Sequence, residues 1–411
     1  MIRGKNIAIV GLGYVGLPLA VACASAGYRV LGIDIDQKKV EALNQGLSYI
    51  EDVSASVIED LIRGESVSFE SSFSGVTKCS IVLICVPTPL KENSKPDLSI
   101  LEDAISQIAP HLKSGTLVIS ESTSYPGTLR NVIKPLVDEI INNREIEILY
   151  AVAPERVDPG NEHFNHFNTP RVVGALTDQA LKLAVEFYKS FTSQVTEVSE
   201  PEIAEGAKML ENTFRQVNIA LVNEFAKVAR QMNFDVRETI DAAMSKPYGF
   251  MKFNPGPGVG GHCIPVDPYY LTWSARNAGI TAELIEKANE INNNMPKYVV
   301  ERFKEFYGTS IRSEKILVAG LAYKVGISDI RESPALQILK CLKAEGALPC
   351  WFDPKVKKFS EHPKIENNEI ISGVIITLPD LDLPIEEWIS RGISIFDCTG
   401  RYQKHKEIEQ L

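Results

Sequence analysis

The stretch from Asn6 to Asp34, NIAIVGLGYVGLPLAVACASAGYRVLGID, constrains the fold more than any other. A β-branched run leads into Gly11, Gly13 and Gly16 in G-x-G-x-x-G register, a helical pattern of small residues follows, and a second apolar run ends at Asp34. In such a strand, turn, helix and strand unit, the first glycine makes the turn and the second lets backbone approach a pyrophosphate. The third lets helix pack on strand, and the carboxylate receives a ribose diol. The pattern predicts a dinucleotide site that includes Tyr14 and Val15 in the turn. Asp34 favours NAD over NADP, because a carboxylate there repels a 2′-phosphate. The same glycines interrupt an apolar N-terminal run that could otherwise pass for an export signal. No later stretch reaches the ~18 uninterrupted apolar residues of a membrane span.

The strand grammar continues through IVLICVP (81–87), TLVISES (116–122), IEILYAVAP (146–154) and RVVGAL (171–176). These near-continuous apolar runs alternate with helical patterns, as in a parallel sheet covered on both faces. From Pro201 the texture changes to more than thirty residues of uninterrupted helical periodicity, opened by a proline and acidic first-turn residues. Gly- and Pro-rich residues 247–268 follow, and then more helix to about residue 306. Strands return at KILVAGLAY (315–323), LPCWFD (348–353), GVIITL (373–378) and ISIFDC (393–398). The expected architecture is α/β: two Rossmann-like, doubly wound parallel-sheet domains joined by a long central helix. The expected divisions are 1–200 for dinucleotide binding, 201–310 for a central helical and dimerising part, and 311–411 for the second Rossmann-like domain.

At 411 residues two or three domains are expected. A net charge of −10 without basic runs argues against a general nucleic-acid binder. The seven scattered cysteines include no C-x-x-C pair, which suits a reducing compartment and makes the cytoplasm the expected location.

Several constellations could carry chemistry. CVPTP (85–89), with Pro87 and Thr88, and ESTSYPGT (121–128), with Thr123, follow strands where ligands of open α/β sheets bind. On the long helix Lys208, Asn212 and Arg215 share one face, either as a solvated stripe or as a site where a lysine and an amide polarise a substrate oxygen. Cys263 lies in GPGVGGHCIPVD (256–267), where backbone N–H groups left free by glycines could cradle an anion and lower a thiol's pKa. Asp267 follows one helical turn later. A metal site combining His262, Cys263 and HFNH (163–166) matches no zinc spacing, and none is expected.

Taken in order, GLGYVG, CVPTP, ESTSYPGT, APERVDPG, KMLENTFRQVNIALVNE, GPGVGGHCIPVDPYYL and GLAYKVGISDIRESPAL resemble the UDP-glucose/GDP-mannose 6-dehydrogenase family over essentially the whole chain. The resemblance implies NAD-dependent, four-electron oxidation of a sugar 6-hydroxyl to a carboxylate, for surface polysaccharide precursors, by a homodimer or larger assembly. It casts Cys263 as the nucleophile of a thiohemiacetal and then a thioester. Lys208 and Asn212 would stabilise negative charge on oxygen, and Asp267 would position or activate water. Thr123 would hold that water, and Glu155 would be the base for hydrolysis. The resemblance also carries Lys39 and Arg331 onto NAD contacts. Glu155, Arg156, Val157, Lys208, Asn212, Arg215, Phe253, Gly258, Gly260, Tyr323, Lys324 and Arg401 fall on nucleotide-sugar contacts.

Three departures matter. UDP-glucose enzymes read C-x-P-K-D after the cysteine, whereas Val266 replaces that lysine here. Pro159 stands where they carry a second glutamate, and a neighbouring subunit's arginine has only Lys246 as a loose counterpart. The first two point to a UDP-N-acetylhexosamine, with UDP-N-acetylglucosamine the expected substrate and UDP-glucose or the other N-acetylhexosamines as alternatives. Two rival readings are a β-hydroxyacid dehydrogenase, which performs one oxidation without a thiol, and a non-catalytic binding protein.

Overall fold

The computed structural model describes residues 5–142, 145–158, 161, 163–365 and 370–411. Pro159 therefore lies outside the described residues. The chain divides into two compact units, one comprising residues up to Glu211 with Tyr269–Gly279, the other Asn212–Pro268 with Ile280–Leu411.

The first unit is built on an eight-stranded sheet. Its strands are β1 (Asn6–Val10), β2 (Arg29–Ile33), β3 (Val67–Glu70), β4 (Ile81–Ile84), β5 (Leu117–Ser120), β6 (Leu149–Val152), β7 (Arg171–Ala175) and β8 (Val195–Glu197). They are ordered β3-β2-β1-β4-β5-β6-β7-β8. All neighbours run parallel except β6 and β7, so RVVGAL joins the sheet antiparallel rather than parallel as expected. The central strands are apolar on both faces because helices cover both, and Ile7, Ile9, Val82, Leu83, Ile119 and Ala151 are fully buried. Each such Ile, Val or Leu side chain contributes roughly 1.5–3 kcal/mol by burial. Strand β3 escapes the apolar-run criterion because VSFE alternates buried and exposed residues. The strand order reverses between β1 and β4, where ligands of such sheets bind, beyond the strands' carboxyl ends.

The helix Pro201–Gln231 runs for 31 residues, as its periodicity predicts. A shorter helix, Val236–Met244, follows it, capped by the Asp235 carboxylate accepting from the Arg237 and Glu238 backbone N–H groups. The later helical region resolves into Asp267–Asn277 and Glu283–Tyr307, the second ended by Gly308 in the left-handed conformation.

In the second unit a parallel sheet runs β10-β9-β11-β12-β13. Its strands are β9 (Lys315–Ala319), β10 (Leu348–Phe352), β11 (Gly373–Ile376), β12 (Ser394–Asp397) and β13 (Ile408–Gln410). The fifth strand, three residues long, carries too little apolar signal to stand out in the sequence. Leu317, Val318, Val374, Ile375, Ile395 and Phe396 fill both faces. Among the described residues no helix is long and apolar enough to cross a membrane.

Candidate active site

At the end of β1, Gly11 has φ +90° and its N–H donates to the Ile33 carbonyl at 2.8 Å. A Cβ on Gly16 would lie 1.8 Å from the Gly11 carbonyl oxygen, and one on Gly11 would lie 2.7 Å from that of Cys85. These two glycines are demanded by the protein itself. Gly13 is different, since a Cβ there would meet nothing within 4 Å, which leaves the open backbone approach that a pyrophosphate needs. The helix Gly16–Ser25 starts beyond it, with Val15 as its N-cap. Tyr14 turns its hydroxyl to Glu51 at 3.3 Å.

Asp34 is buried and serves the turn as well: its Oδ2 accepts from the Leu12 N–H at 2.9 Å and its Oδ1 from Asp36 N–H at 3.0 Å. Lys39 Nζ stands 3.5 Å from the same carboxylate and 5.8 Å from the Tyr49 ring centre, while Tyr49 donates to the Leu12 carbonyl at 2.7 Å. Tyr49 is a turn-bracing residue that no sequence pattern marked. Pro87 is exposed after β4, and Thr88 Oγ1 donates to the Thr123 carbonyl at 2.6 Å, joining the two loops expected to line the site. These residues fit NAD.

Lys208 and Asn212 are both buried, which rules out a solvated stripe for them, whereas Arg215 is exposed. One turn before Lys208, Glu205 accepts from the N–H groups of Gly127 at 2.5 Å and Leu129 at 2.9 Å. It thereby caps the helical segment that continues from ESTSYPGT. Burial pushes Glu205 up to about 7, against the lowering pull of those N–H groups.

Glu155, 6% exposed, does not stand open to water. Its Oε1 accepts from the Arg156 and Val157 N–H groups, both at 2.6 Å, and its Oε2 lies 3.0 Å from Arg171 Nη2. Arg171 also donates to Glu121 at 2.9 Å and to His166 Nδ1 at 2.7 Å, and Tyr188 donates to Glu121 at 2.5 Å. Burial alone would raise Glu155, but Arg171, His166, the Val157 N–H and Lys208 overcome it and hold the carboxyl well below its usual range. For Glu121 burial prevails and pushes the carboxyl up. His166 of the HFNH run is lowered to about 4 by burial, so its neutral Nδ1 is engaged as Arg171's acceptor. Arg156 reaches Glu211 at 2.6 Å and the Pro170 carbonyl at 2.9 Å. Glu121 and Arg171 escape sequence reasoning because a charged residue inside an apolar strand pattern reads only as an interruption.

In the second unit, Asn212 Nδ2 donates to the buried carboxylate of Asp267. Asp267 is the first residue of its helix, and the Cys263 carbonyl accepts from the N–H groups of Val266 at 3.0 Å and Asp267 at 2.8 Å. The partly exposed Cys263 thus sits one turn ahead of a helix start, as the sequence predicts. None of the seven cysteines is in a disulfide.

The glycines before it have packing duties. A Cβ on Gly260 would lie 2.6 Å from Tyr323 Cβ, and one on Gly258 3.2 Å from the Asn292 carbonyl oxygen. The Gly261 N–H donates to the Arg331 carbonyl at 3.0 Å, and that of Gly256 to Asn223 Oδ1 at 2.9 Å. The expected anion cradle is therefore partly satisfied by protein. Phe253 meets Phe214 edge to face at 6.1 Å. Tyr323 and Lys324 are half-buried, and the Tyr323 N–H donates to the Asp329 carbonyl. Arg331 is exposed, pairs with Asp329 at 2.5 Å and touches His262 Nδ1 at 3.2 Å, while exposed Arg401 pairs with Asp380 at 3.3 Å.

Comparison with known proteins bears on the same segments. The UDP-glucose/GDP-mannose dehydrogenase family matches through its NAD binding domain at residues 5–192, its central domain at 202–294 and its UDP binding domain at 317–382. A UDP-N-acetyl-D-mannosamine dehydrogenase of Methanococcus maripaludis is 36% identical over 386 residues, covering 92% of this chain and 86% of the relative. A UDP-N-acetyl-D-glucosamine 6-dehydrogenase of Pseudomonas aeruginosa is 35% identical, covering 86% and 84%. The solved structure of the Pyrococcus horikoshii UDP-D-ManNAc dehydrogenase superposes with a TM-score of 0.87 at 33% identity, covering 97% of this chain and 96% of that one. This chain belongs to the UDP-glucose/GDP-mannose dehydrogenase family of NAD-dependent nucleotide-sugar dehydrogenases.

Proposed function

We propose that this chain oxidises the 6-hydroxyl of a UDP-N-acetylhexosamine to the carboxylate in two oxidations joined by a covalent intermediate on Cys263. The observation that carries the reading is the buried Asn212–Asp267 hydrogen bond, with Asp267 one helical turn beyond a partly exposed thiol. The Gly11–Gly16 turn, Asp34, Lys39, Thr88 and Arg331 would hold NAD⁺, which when bound would supply the hydride acceptor for each oxidation. Lys208, a buried cation, stabilises negative charge developing on the sugar oxygen, and Asn212 supports it. Cys263 sulfur adds to the 6-aldehyde to give a thiohemiacetal, and loss of hydride from that adduct gives a thioester. Water, held by Thr123 and positioned by Asp267, gives a proton to Glu155 as it adds to the thioester carbonyl, and the thiolate leaves as the carboxylate forms. Arg156, Val157, Phe253, Gly258, Gly260, Tyr323, Lys324 and Arg401 contact the nucleotide sugar.

The three divisions 1–200, 201–310 and 311–411 serve cofactor, assembly and nucleotide sugar in this reading, and the cytoplasm supplies the reduced thiol. The 2-acetamido group is supported by Val266, buried and uncharged where UDP-glucose enzymes carry lysine, and by the names of the relatives. Two of the three relatives above are named for N-acetylmannosamine, which shifts the first choice to that epimer, with N-acetylglucosamine second. NADH release with UDP-N-acetylmannosamine, UDP-N-acetylglucosamine, UDP-N-acetylgalactosamine, UDP-glucose and GDP-mannose tests this. A kcat/KM at least about tenfold higher for an N-acetylhexosamine, ~1.4 kcal/mol of discrimination, is expected. Preference for UDP-glucose or GDP-mannose would overturn it.

A further inference from the structure

The segment that carries the reactive thiol is tied at both ends to one face of the long helix. Residues 256–267 read GPGVGGHCIPVD, a length that could span roughly 40 Å if extended. Its last residue, Asp267, accepts from Asn212 Nδ2, and its first, Gly256, donates its N–H to Asn223 Oδ1 at 2.9 Å. Both asparagines belong to the helix Pro201–Gln231. They are separated by about 16 Å along its axis and by only about 20° around it. The segment between these ties therefore has slack, and where Cys263 stands depends on what fixes the ends.

Asn223 is wholly buried, and both atoms of its amide are engaged. Its Nδ2 donates to Asn292 Oδ1 at 2.9 Å, and Asn292 Nδ2 donates to the Gln216 carbonyl at 3.0 Å. A backbone carbonyl can only accept, so it fixes which way the Asn292 amide faces. That in turn aims Asn223 Oδ1 at Gly256. The Asn292 carbonyl lies against the same segment, 3.2 Å from where a Cβ on Gly258 would be. Gln216 shares the burial and the helix face, but its side chain donates to Asn289 Oδ1 at 2.6 Å. An amide that only joined two helices would find its partners on them, as Gln216 does. Asn223 gives its acceptor to the thiol-bearing segment instead.

We infer that Asn223, oriented by Asn292, is a positioning residue that fixes where the Cys263 segment leaves the long helix, and hence where the sulfur stands when the 6-aldehyde forms. The inference rests on the two-oxidation reading above. Without this tie the sulfur is misplaced, addition to the aldehyde slows, and aldehyde escapes before the second hydride is transferred.

Asn223→Ala and Asn292→Ala, with Gln216→Met as a control for the loss of a buried amide on the same face, test this in the full-length protein. NADH per UDP-sugar consumed, the masses of the released sugars and hydrogen exchange of peptides covering 254–263 are the measurements. For Asn223→Ala, uronate forms about 10–100-fold more slowly, NADH per sugar falls from two toward one, and the 6-aldehyde appears in solution. NAD⁺ affinity stays within a few-fold of wild type. Peptides 254–263 exchange at least about tenfold faster while those of both sheets are unchanged. Asn292→Ala shows the same signature more weakly, and decides the matter if Asn223→Ala does not fold. Gln216→Met lowers the unfolding midpoint but keeps two NADH per sugar and wild-type exchange at 254–263. Two NADH per sugar from Asn223→Ala, or exchange at 254–263 no faster than in Gln216→Met, would overturn the inference. A wild type that yields one NADH per sugar sinks the two-oxidation reading instead, and the exchange comparison, which needs no substrate, still decides whether Asn223 holds the segment.

Discussion

Glu205 binds two backbone N–H groups as a carboxylate, yet burial pushes it up to about 7. Because its folded pKa lies above the ordinary 4.5, its contribution to stability is complete below about pH 4.5 and is lost as pH rises through 7. Glu205→Gln keeps an acceptor for Gly127 and Leu129 but cannot ionise. Denaturant unfolding between pH 5 and 8 is expected to show wild type losing up to about 3 kcal/mol relative to Glu205→Gln, and parallel curves would contradict this. At Cys263, Cys263→Ala is expected to abolish carboxylate formation and to leave NAD⁺ affinity within a few-fold of wild type, measured by fluorescence titration. Single residues were unevenly legible. Lys208, Asn212, Cys263 and Asp267 could be nominated because their residue types and spacing suit the chemistry. Glu205, Glu121 and Arg171 could not, because their meaning lies in partners distant in sequence that only the fold assembles.

The glycine turn separates two duties at the level of an element. Gly16→Ala forces a Cβ against the Gly11 carbonyl oxygen and is expected to lower stability by about 3 kcal/mol. Gly13→Ala meets nothing within 4 Å. It is expected to leave the unfolding midpoint unchanged and to weaken NAD⁺ at least about tenfold, ~1.4 kcal/mol. Equal effects on both quantities in the two variants would remove the argument that Gly13 is reserved for cofactor. The strand, turn and helix were legible because period and glycine register are local properties. Strand β3, which alternates on a half-covered edge, and the direction of β7 were not, since pairing partner and direction are decided by tertiary contacts.

The long helix carries an exposed apolar face as well as two of the proposed catalytic residues. Ile203, Leu210, Phe214, Leu221 and Val228 are exposed, and their spacing of i, i+7, i+11, i+18 and i+25 places them within one narrow stripe. Lys208 and Asn212 lie roughly 140° and 180° around the helix from that stripe. The helix can therefore present catalytic groups on one side and a second copy of the chain on the other. Sedimentation is expected to give a dimer, and Leu221→Glu a monomer with reduced stability; a monomeric wild type would contradict the stripe's role. The two Rossmann-like sheets and the helix between them were readable from alternating apolar and helical grammar. Which residues of the helix form the exposed stripe was not, because exposure is a property of the folded chain.

The central claim is that one active site carries out two oxidations linked through Cys263. Counting NADH formed per UDP-sugar consumed at completion, with the uronate identified by mass, tests it most directly. Two NADH per sugar with no free aldehyde is the predicted result, and one NADH per sugar would contradict it.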